Sequence, residues 1–378
     1  MVNKKRLIRL TRKLIQLNSE NPPGNEFAIA GFVKKYLSGM GVESKIYEFK
    51  KNRSNLVAMI KGKGRKRSLL ITPHLDTVPA GEHWRFLPFS GKLQGGRIYG
   101  LGATDCKGNL AVSLEAINSL AEDGASLDYS LVFAATADEE SGSALGIAPL
   151  LDKGILKPDA ALVLDADDFE IIVTQKGLMH LKIGVKGKKA HGAYPWLGRN
   201  AIDASMVILE ALKDHWASRQ RGRRTQYLRP ATLNIGTIRG GDKVNVVADW
   251  CEFELDYRFL PGDSVKRILK EIKSVIKKQA ARSQIEIEGI QKPYLIKTDH
   301  PLVSYLVKAM KRLGRKPCIK GSEGATTISF FQDKGIPAVA TGFGCSGCAH
   351  IADEYVRIDN LYRGAAVLEE FLKQYRFD

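Results

Sequence analysis

His74 and Asp76 stand two residues apart in His74-Leu75-Asp76-Thr77-Val78-Pro79, directly after the apolar run 68–72. That spacing suits a metal ligand and its support, because a ligating histidine commonly gives its second ring proton to a carboxylate that fixes the tautomer. A second segment, Gly100-Leu101-Gly102-Ala103-Thr104-Asp105-Cys106-Lys107-Gly108, sets one carboxylate among glycines. It fits neither the dinucleotide fingerprint nor the Walker pattern, and Asp105 would repel a phosphate unless a cation intervened. Glycines that free the backbone around a lone acid are better suited to placing a cation ligand. Asp138-Glu139-Glu140 follows the apolar run 131–135, and Asp165 follows 160–164. Consecutive acids repel one another, so they either face water or share a cation. The glycine-rich stretch 342–350 ends on His350, with Asp353 and Glu354 just beyond. Taken singly, each feature has a plain alternative, a polar loop for His74-x-Asp76 and a solvated acidic turn for 138–140.

Cys345 and Cys348 form a single C-x-x-C. A zinc ribbon needs a second pair, and a haem attachment site needs histidine where Ala349 stands. The pair reads as two incidental small residues in a glycine-rich loop, with a redox couple as the alternative.

The elements that would carry these residues alternate between helix and strand. Helical apolar spacing runs from Leu7 to Leu17 and stops at the NSENPPG segment 18–24; it resumes from Ile29 to Leu37. Strands are expected at 56–60, 69–71, 131–135 and 160–164, with a helix at 110–120. After Gly177 the pattern becomes strand 178–185, helix 200–212, strands 231–238 and 245–259, helix 265–280 and strand 285–290. That β-α-β-β-α-β order is the order of a ferredoxin-like domain. From about residue 294 the first pattern resumes, with a helix at 302–313, a strand at 338–341 and a final helix at 361–375. The reading is an α/β chain in two domains, 1–176 with 292–378 and an inserted 177–291, the carboxyl ends of the strands carrying the site.

Composition bounds the function classes. At 378 residues with 44% hydrophobic and 26% charged residues, the chain is too long for one ordinary core and too apolar for disorder. No apolar stretch approaches the ~20 residues of a bilayer span, and charges interrupt the apolar N-terminus, so a cytoplasmic protein without membrane contact is expected. Five cysteines argue against a disulfide framework. The formal net charge of +17 is spread over short groups such as 61–67, 182–189 and 219–224, none within a nucleic-acid-binding module. These groups read as solvated surface, and no nucleic-acid partner is expected.

In order and spacing, His74-x-Asp76-Thr-Val-Pro, Gly100-x-Gly102-x-x-Asp105-x-Lys107-Gly108, Glu139-Glu140, Asp165, Gly187-x-x-x-His191-Gly192 and His350-x-x-Asp353-Glu354 resemble the co-catalytic dizinc family. That family contains acetylornithine deacetylase, succinyl-diaminopimelate desuccinylase, aminoacylase, glutamate carboxypeptidase and several di- and tripeptidases. The resemblance covers essentially the whole chain. It implies a zinc-peptidase-like catalytic domain, with a mixed sheet between helices, and an inserted α+β lid and dimerisation domain. It implies two Zn²⁺, with Co²⁺ or Mn²⁺ as substitutes. Asp105 would bridge them, His74 and Asp165 would complete one site, and Glu140 and His350 the other. Asp76 would orient His74, Glu139 would be the general base, and a cis peptide would join Asp105 to Cys106. His191 would reach a partner subunit's active site and steady the oxyanion, while Asn245 and Arg258 would hold the substrate carboxylate, as suits a guanidinium. His83, His180, His215 and His300 match no functional position.

The implied reaction is hydrolysis of the amide of an N-acyl amino acid bearing a free carboxylate, in a homodimer. Asp165 stands where the deacylases usually have glutamate and the aminopeptidases aspartate, which raises a di- or tripeptidase or carboxypeptidase reading. Residues 84–107 are more similar to the deacetylase and desuccinylase branch. Thr327, in Gly324-Ala325-Thr326-Thr327, replaces an aspartate common in the family. A metal-free binding protein on the same fold is the alternative from another class, disfavoured because every ligand position is filled.

Overall fold

The structure is a computed structural model that describes residues 1–63, 67–220, 223, 225–279, 282–324 and 326–377. Outside the described residues lie parts of the basic groups 61–67 and 219–224, the last residue of the expected helix 265–280, and residue 325 of the segment 324–327.

Short Val-, Leu-, Ile- and Ala-rich runs with no polar alternation must bury both faces, which is the pattern of parallel strands. Ser130–Ala135, Ser68–Thr72, Ala160–Leu164 and Ala338–Thr341 lie side by side in that order, each parallel to the next. Their central residues, among them Leu70, Phe133, Leu162 and Val339, are buried. Antiparallel strands flank them, Ser54–Ile60 and then Ser44–Glu48 beyond Ser130–Ala135, and Glu170–Gln175 beyond Ala338–Thr341. Glu170–Gln175 is a strand beyond those expected from the apolar runs, and only Lys176 separates it from Gly177–Lys186. Helix Lys107–Glu122 is buried along most of its length and packs against Lys4–Ile15 and Ile358–Gln374. A small antiparallel sheet, Tyr355–Arg357, Arg97–Tyr99 and Lys92–Gln94, joins the stretch after His350 to the stretch before Asp105.

The chain divides into two units, Met1–Val173 with Ile296–Lys320 and Phe330–Asp378, and Thr174–Leu295 with Gly321–Ser329. The last segment differs from the boundaries expected above. Its ties are polar and non-local: Lys176 N donates to Ser322 O at 3.1 Å, and Thr326 donates to Gln175 Oε1 through its N–H (3.2 Å) and hydroxyl (2.9 Å).

The second unit builds a four-stranded antiparallel sheet in the order Thr232–Gly240, Trp250–Phe259, Gly177–Lys186, Arg282–Gln291. Helices Ala201–Gln220 and Val265–Lys278 supply the rest of its core, where Met179, Leu181, Ile183, Phe253, Leu255 and Tyr257 meet Ile208, Leu212, Ile268 and Ile272. Alternate burial along Gly177–Lys186 and Trp250–Phe259 follows from a sheet covered on one face. With chain order β-α-β-β-α-β and this strand order, the unit is ferredoxin-like. The strand expected over 245–259 begins only at Trp250; residues before it turn back, with Val246 N bonded to Lys243 O at 3.1 Å and Val247 N to Ala190 O at 2.9 Å.

Gly342 ends the Ala338–Thr341 strand where a Cβ would lie 1.8 Å from Ala166 O. Gly342→Ala should therefore lower stability by about 1–3 kcal/mol through overpacking, read as a lower denaturation midpoint; an unchanged midpoint would contradict this packing.

Candidate active site

The parallel strands all end on the same side, and the chemistry follows directly from each end. His74 comes two residues after Ser68–Thr72, the 138–140 acids follow Ser130–Ala135, Asp165 follows Ala160–Leu164, and the loop after Ala338–Thr341 leads to His350. Asp105 precedes helix Lys107–Glu122, and a cis peptide joins it to Cys106.

Asp105 lies between the two histidines. Its Oδ1 is 2.8 Å from His74 Nε2 and its Oδ2 is 3.2 Å from His350 Nε2. His350 Nε2 also meets Glu140 at 3.2 Å, and His74 Nε2 is 3.9 Å from Asp165 Oδ1. Ligand atoms within 4.8 Å of one another define the groups Asp105/Glu140/His350, His74/Glu139/Asp165 and His74/Asp105/Cys106. The first two are oxygen and imidazole donors suited to divalent ions. Cys106 is different: burial pushes its thiol up to about 12, and its sulfur accepts from His74 N at 3.2 Å.

Asp76 is fully buried. Its carboxylate is 3.5 Å from His74 Nδ1 and accepts from Asn21 Nδ2 at 2.9 Å and from the N–H groups of Glu139 and Glu140, both at 3.1 Å. Burial alone would raise that carboxyl, and the His74, Asn21 and Glu139 bonds hold it below the usual range. His74 Nδ1 also lies 3.0 Å from Asp76 O. The support expected for His74 is thus also the anchor of the acidic turn.

The three adjacent acids separate by backbone geometry. Asp138 adopts φ 67°, a left-handed conformation that aspartate tolerates better than most residues. Its carboxylate meets Arg53 at 2.7 Å and accepts from Leu145 N at 2.9 Å, away from the ligand groups. Glu139 and Glu140 enter two different groups.

Crowding shifts the titrations. Burial, then the Asp165 charge, pushes Glu139 well above the carboxylate range. Asp165 rises to about 7 through burial and the Asp105 charge. Asp105 would also be raised by burial, but His350 and His74 hold it low. Hydrogen bonding to Asp105 and Glu140 lifts His350 to about 10.

Glu354 contributes a role that its motif did not reveal. Buried, it accepts from the N–H groups of Gly102 (2.7 Å), Thr104 (2.8 Å) and Asp105 (3.0 Å), and so carries the Asp105 loop on the His350 loop. Asp353 accepts from Arg85 N at 2.9 Å and Phe86 N at 3.2 Å. Asn21 and Arg53, bonded to Asp76 and Asp138, stand in no ligand-like pattern either. Cys345 and Cys348 are buried free thiols.

In the second unit, His191 is exposed on a loop and its Nδ1 accepts from Ala193 N at 3.0 Å. Asn245 lies in the turn before Trp250, its carbonyl accepting from Gly192 N at 2.8 Å. Arg258 forks onto Asp256, at 2.7 Å through Nε and 2.9 Å through Nη2.

A family model described as peptidase family M20/M25/M40 matches residues 70–374, most of the chain. The chain belongs to this family. Membership makes it a metal-dependent hydrolase, the fold and family that the motifs resembled. Among its relatives is acetylornithine deacetylase of Vibrio atlanticus, 29% identical over 367 residues, covering 94% of this chain and 93% of the relative. A tripeptidase structure from Staphylococcus aureus superposes with TM-score 0.80 at 25% identity, covering 99% of this chain and 98% of that one. A dinuclear metal binding M20 peptidase from Bacillus subtilis superposes with TM-score 0.76 at 19% identity, covering 98% and 97%. Among the described residues no helix is long and apolar enough to cross a membrane.

A cation and a proton compete for these groups. His350, raised to about 10, holds its proton at neutral pH in the metal-free protein, so a metal bound through His350 would release that proton and would bind more weakly as pH falls. Calorimetric titration of metal-free protein with Zn²⁺ should show proton release near about pH 8, as buffer-dependent enthalpy, and weaker binding near about pH 6. Equal affinity at both values would contradict metal binding through His350.

Proposed function

We propose that the protein is a dinuclear metal hydrolase that cleaves the amide of a small N-acyl amino acid with a free carboxylate. The observation that carries the reading is Asp105, a half-buried carboxylate with one oxygen toward each of two histidines. His74 and Asp165 would hold one ion with Asp105, and Glu140 and His350 the other. The metal pair, Zn²⁺ or in its place Co²⁺ or Mn²⁺, would polarise the carbonyl and acidify water. A dinuclear relative of the same fold supports that count.

Glu139 is the proton carrier in this reading. It is held by its backbone N–H on Asp76 rather than by an ion pair, which leaves its carboxylate to take a proton from the attacking water and return it to the leaving nitrogen. Asp76 keeps His74 oriented, and Glu354 holds the Asp105 loop in register with His350. His191 would supply an oxyanion contact in the partner subunit's site of a homodimer, through the ring nitrogen not taken by Ala193. Asn245 and Arg258 would hold the substrate carboxylate, Arg258 with the guanidinium nitrogen not engaged by Asp256.

Sequence similarity along nearly the whole chain to acetylornithine deacetylase favours deacylation. Asp165 and the tripeptidase likeness favour a peptidase acting on short peptides, the second reading. Turnover across N-acetyl amino acids, N-succinyl amino acids and di- and tripeptides should concentrate in one class and vanish on chelation. Activity on none of them with Zn²⁺, Co²⁺ or Mn²⁺ supplied would refute the reading.

Adjacent acids should fail differently. Glu139→Ala should keep the metals and lose about 10²–10⁴ in turnover, the usual worth of general acid–base catalysis, whereas Glu140→Ala should also lose metal. Equal metal loss from both would remove the distinction. Mixing His191→Ala with Glu139→Ala subunits should restore activity; no recovery despite subunit exchange would exclude a shared site.

A further inference from the structure

Behind the turn that carries Glu139 runs a buried polar chain that the reaction as described leaves unused. Glu26 is 0%, Asn21 4%, Arg53 5% and Asp138 4% exposed. Arg53 Nε donates to Glu26 at 2.9 Å and its Nη2 donates to Asp138 Oδ1 at 2.7 Å. The Asn21 side-chain amide donates to Asp76 Oδ2 at 2.9 Å and to Asp138 Oδ1 at 3.3 Å. Asp76 and Asp138 thus share one amide and hold opposite ends of the same turn, Asp76 through the N–H groups of Glu139 and Glu140 and Asp138 through Leu145 N.

The arrangement is more than structural filling. Two buried carboxylates facing one amide would repel each other, and Asp138 keeps a left-handed backbone immediately before Glu139. The only guanidinium bonded to Asp138 among the described residues is that of Arg53. Any shift of Asp138 moves the peptide that leads into Glu139, because the two residues share it.

We propose that Arg53, together with Asn21, is a positioning residue for Glu139, clamping Asp138 and Asp76 so that the glutamate carboxylate stands where proton transfer requires it. Neither side chain belongs to a ligand group, so each acts through the backbone of the 138–141 turn. The inference rests on Glu139 being the proton carrier.

The test measures kcat, KM, bound metal and thermal midpoint for wild type, Arg53→Met, Arg53→Lys, Asn21→Ala and Glu26→Gln, on whichever amide the wild type turns over. Arg53→Met and Asn21→Ala should keep the wild-type metal content and KM and lose about 10–100-fold in kcat, the scale seen when outer supports of a metal site are removed. Arg53→Lys, which retains a cation for Asp138, should recover most of that loss. Glu26→Gln, which loosens the far side of Arg53, should lower the midpoint and keep kcat. Should Arg53→Met fail to fold, Asn21→Ala and Arg53→Lys carry the comparison. Wild-type kcat in a folded, metal-loaded Arg53→Met or Asn21→Ala would overturn the proposal, as would a kcat loss in Glu26→Gln equal to theirs. Failure of the underlying reading looks different: Glu139→Ala would then keep wild-type turnover.

Discussion

Four carboxylates, those of Asp105, Glu139, Glu140 and Asp165, converge with two imidazoles where the parallel strands end, and their mutual repulsion is the constraint that the surrounding structure serves. In the protein alone this crowding appears as raised titrations of Glu139 and Asp165 and a strongly retained proton on His350. A divalent pair would reverse those shifts, since its charge favours the ionised acids and the neutral rings. The fold accepts this crowded arrangement because each of these side chains is attached to an element that is stable for other reasons. Strands buried on both faces fix where the chain emerges, and the emerging loops are anchored by backbone bonds to Asp76 and Glu354.

Those two buried acids do similar work from opposite sides. Asp76 gathers the N–H groups of the acidic turn, and Glu354 gathers those of the Asp105 loop. Neither sits in a place where a carboxylate would be left unpaired, and a carboxylate given several N–H donors is a far stiffer anchor than an apolar contact of equal size. The ligand loops can therefore be rich in glycine and still hold one geometry. The second unit is built on another plan, an antiparallel sheet with one covered face, and bears His191 and Asn245 on exposed loops and Arg258 on a half-buried strand face.

Substrate class is governed by smaller differences than reaction class. Metal-dependent hydrolysis follows from membership of the family. The choice of acyl group or peptide depends on side chains that shape the space around the carbonyl. Asp165 and the 84–107 segment point in different directions on that choice.

The sequence by itself carried the family, the alternating α/β plan, the ferredoxin-like order of the inserted elements and the identity of the residues that converge. These were legible because apolar periodicity is local and because ligand motifs need particular residue types at short spacing. Even so, only the tertiary structure decided that Asp138 turns away from its neighbours to meet Arg53, that Asp76 anchors the Glu139–Glu140 turn, and that Glu354 docks one ligand loop on another. It also assigned 321–329 to the second unit and began the Trp250–Phe259 strand later than periodicity suggested. Each of these rests on hydrogen bonds between residues far apart in the chain or on a single backbone dihedral. Such bonds depend on direction and distance in space, which residue type and local spacing do not encode.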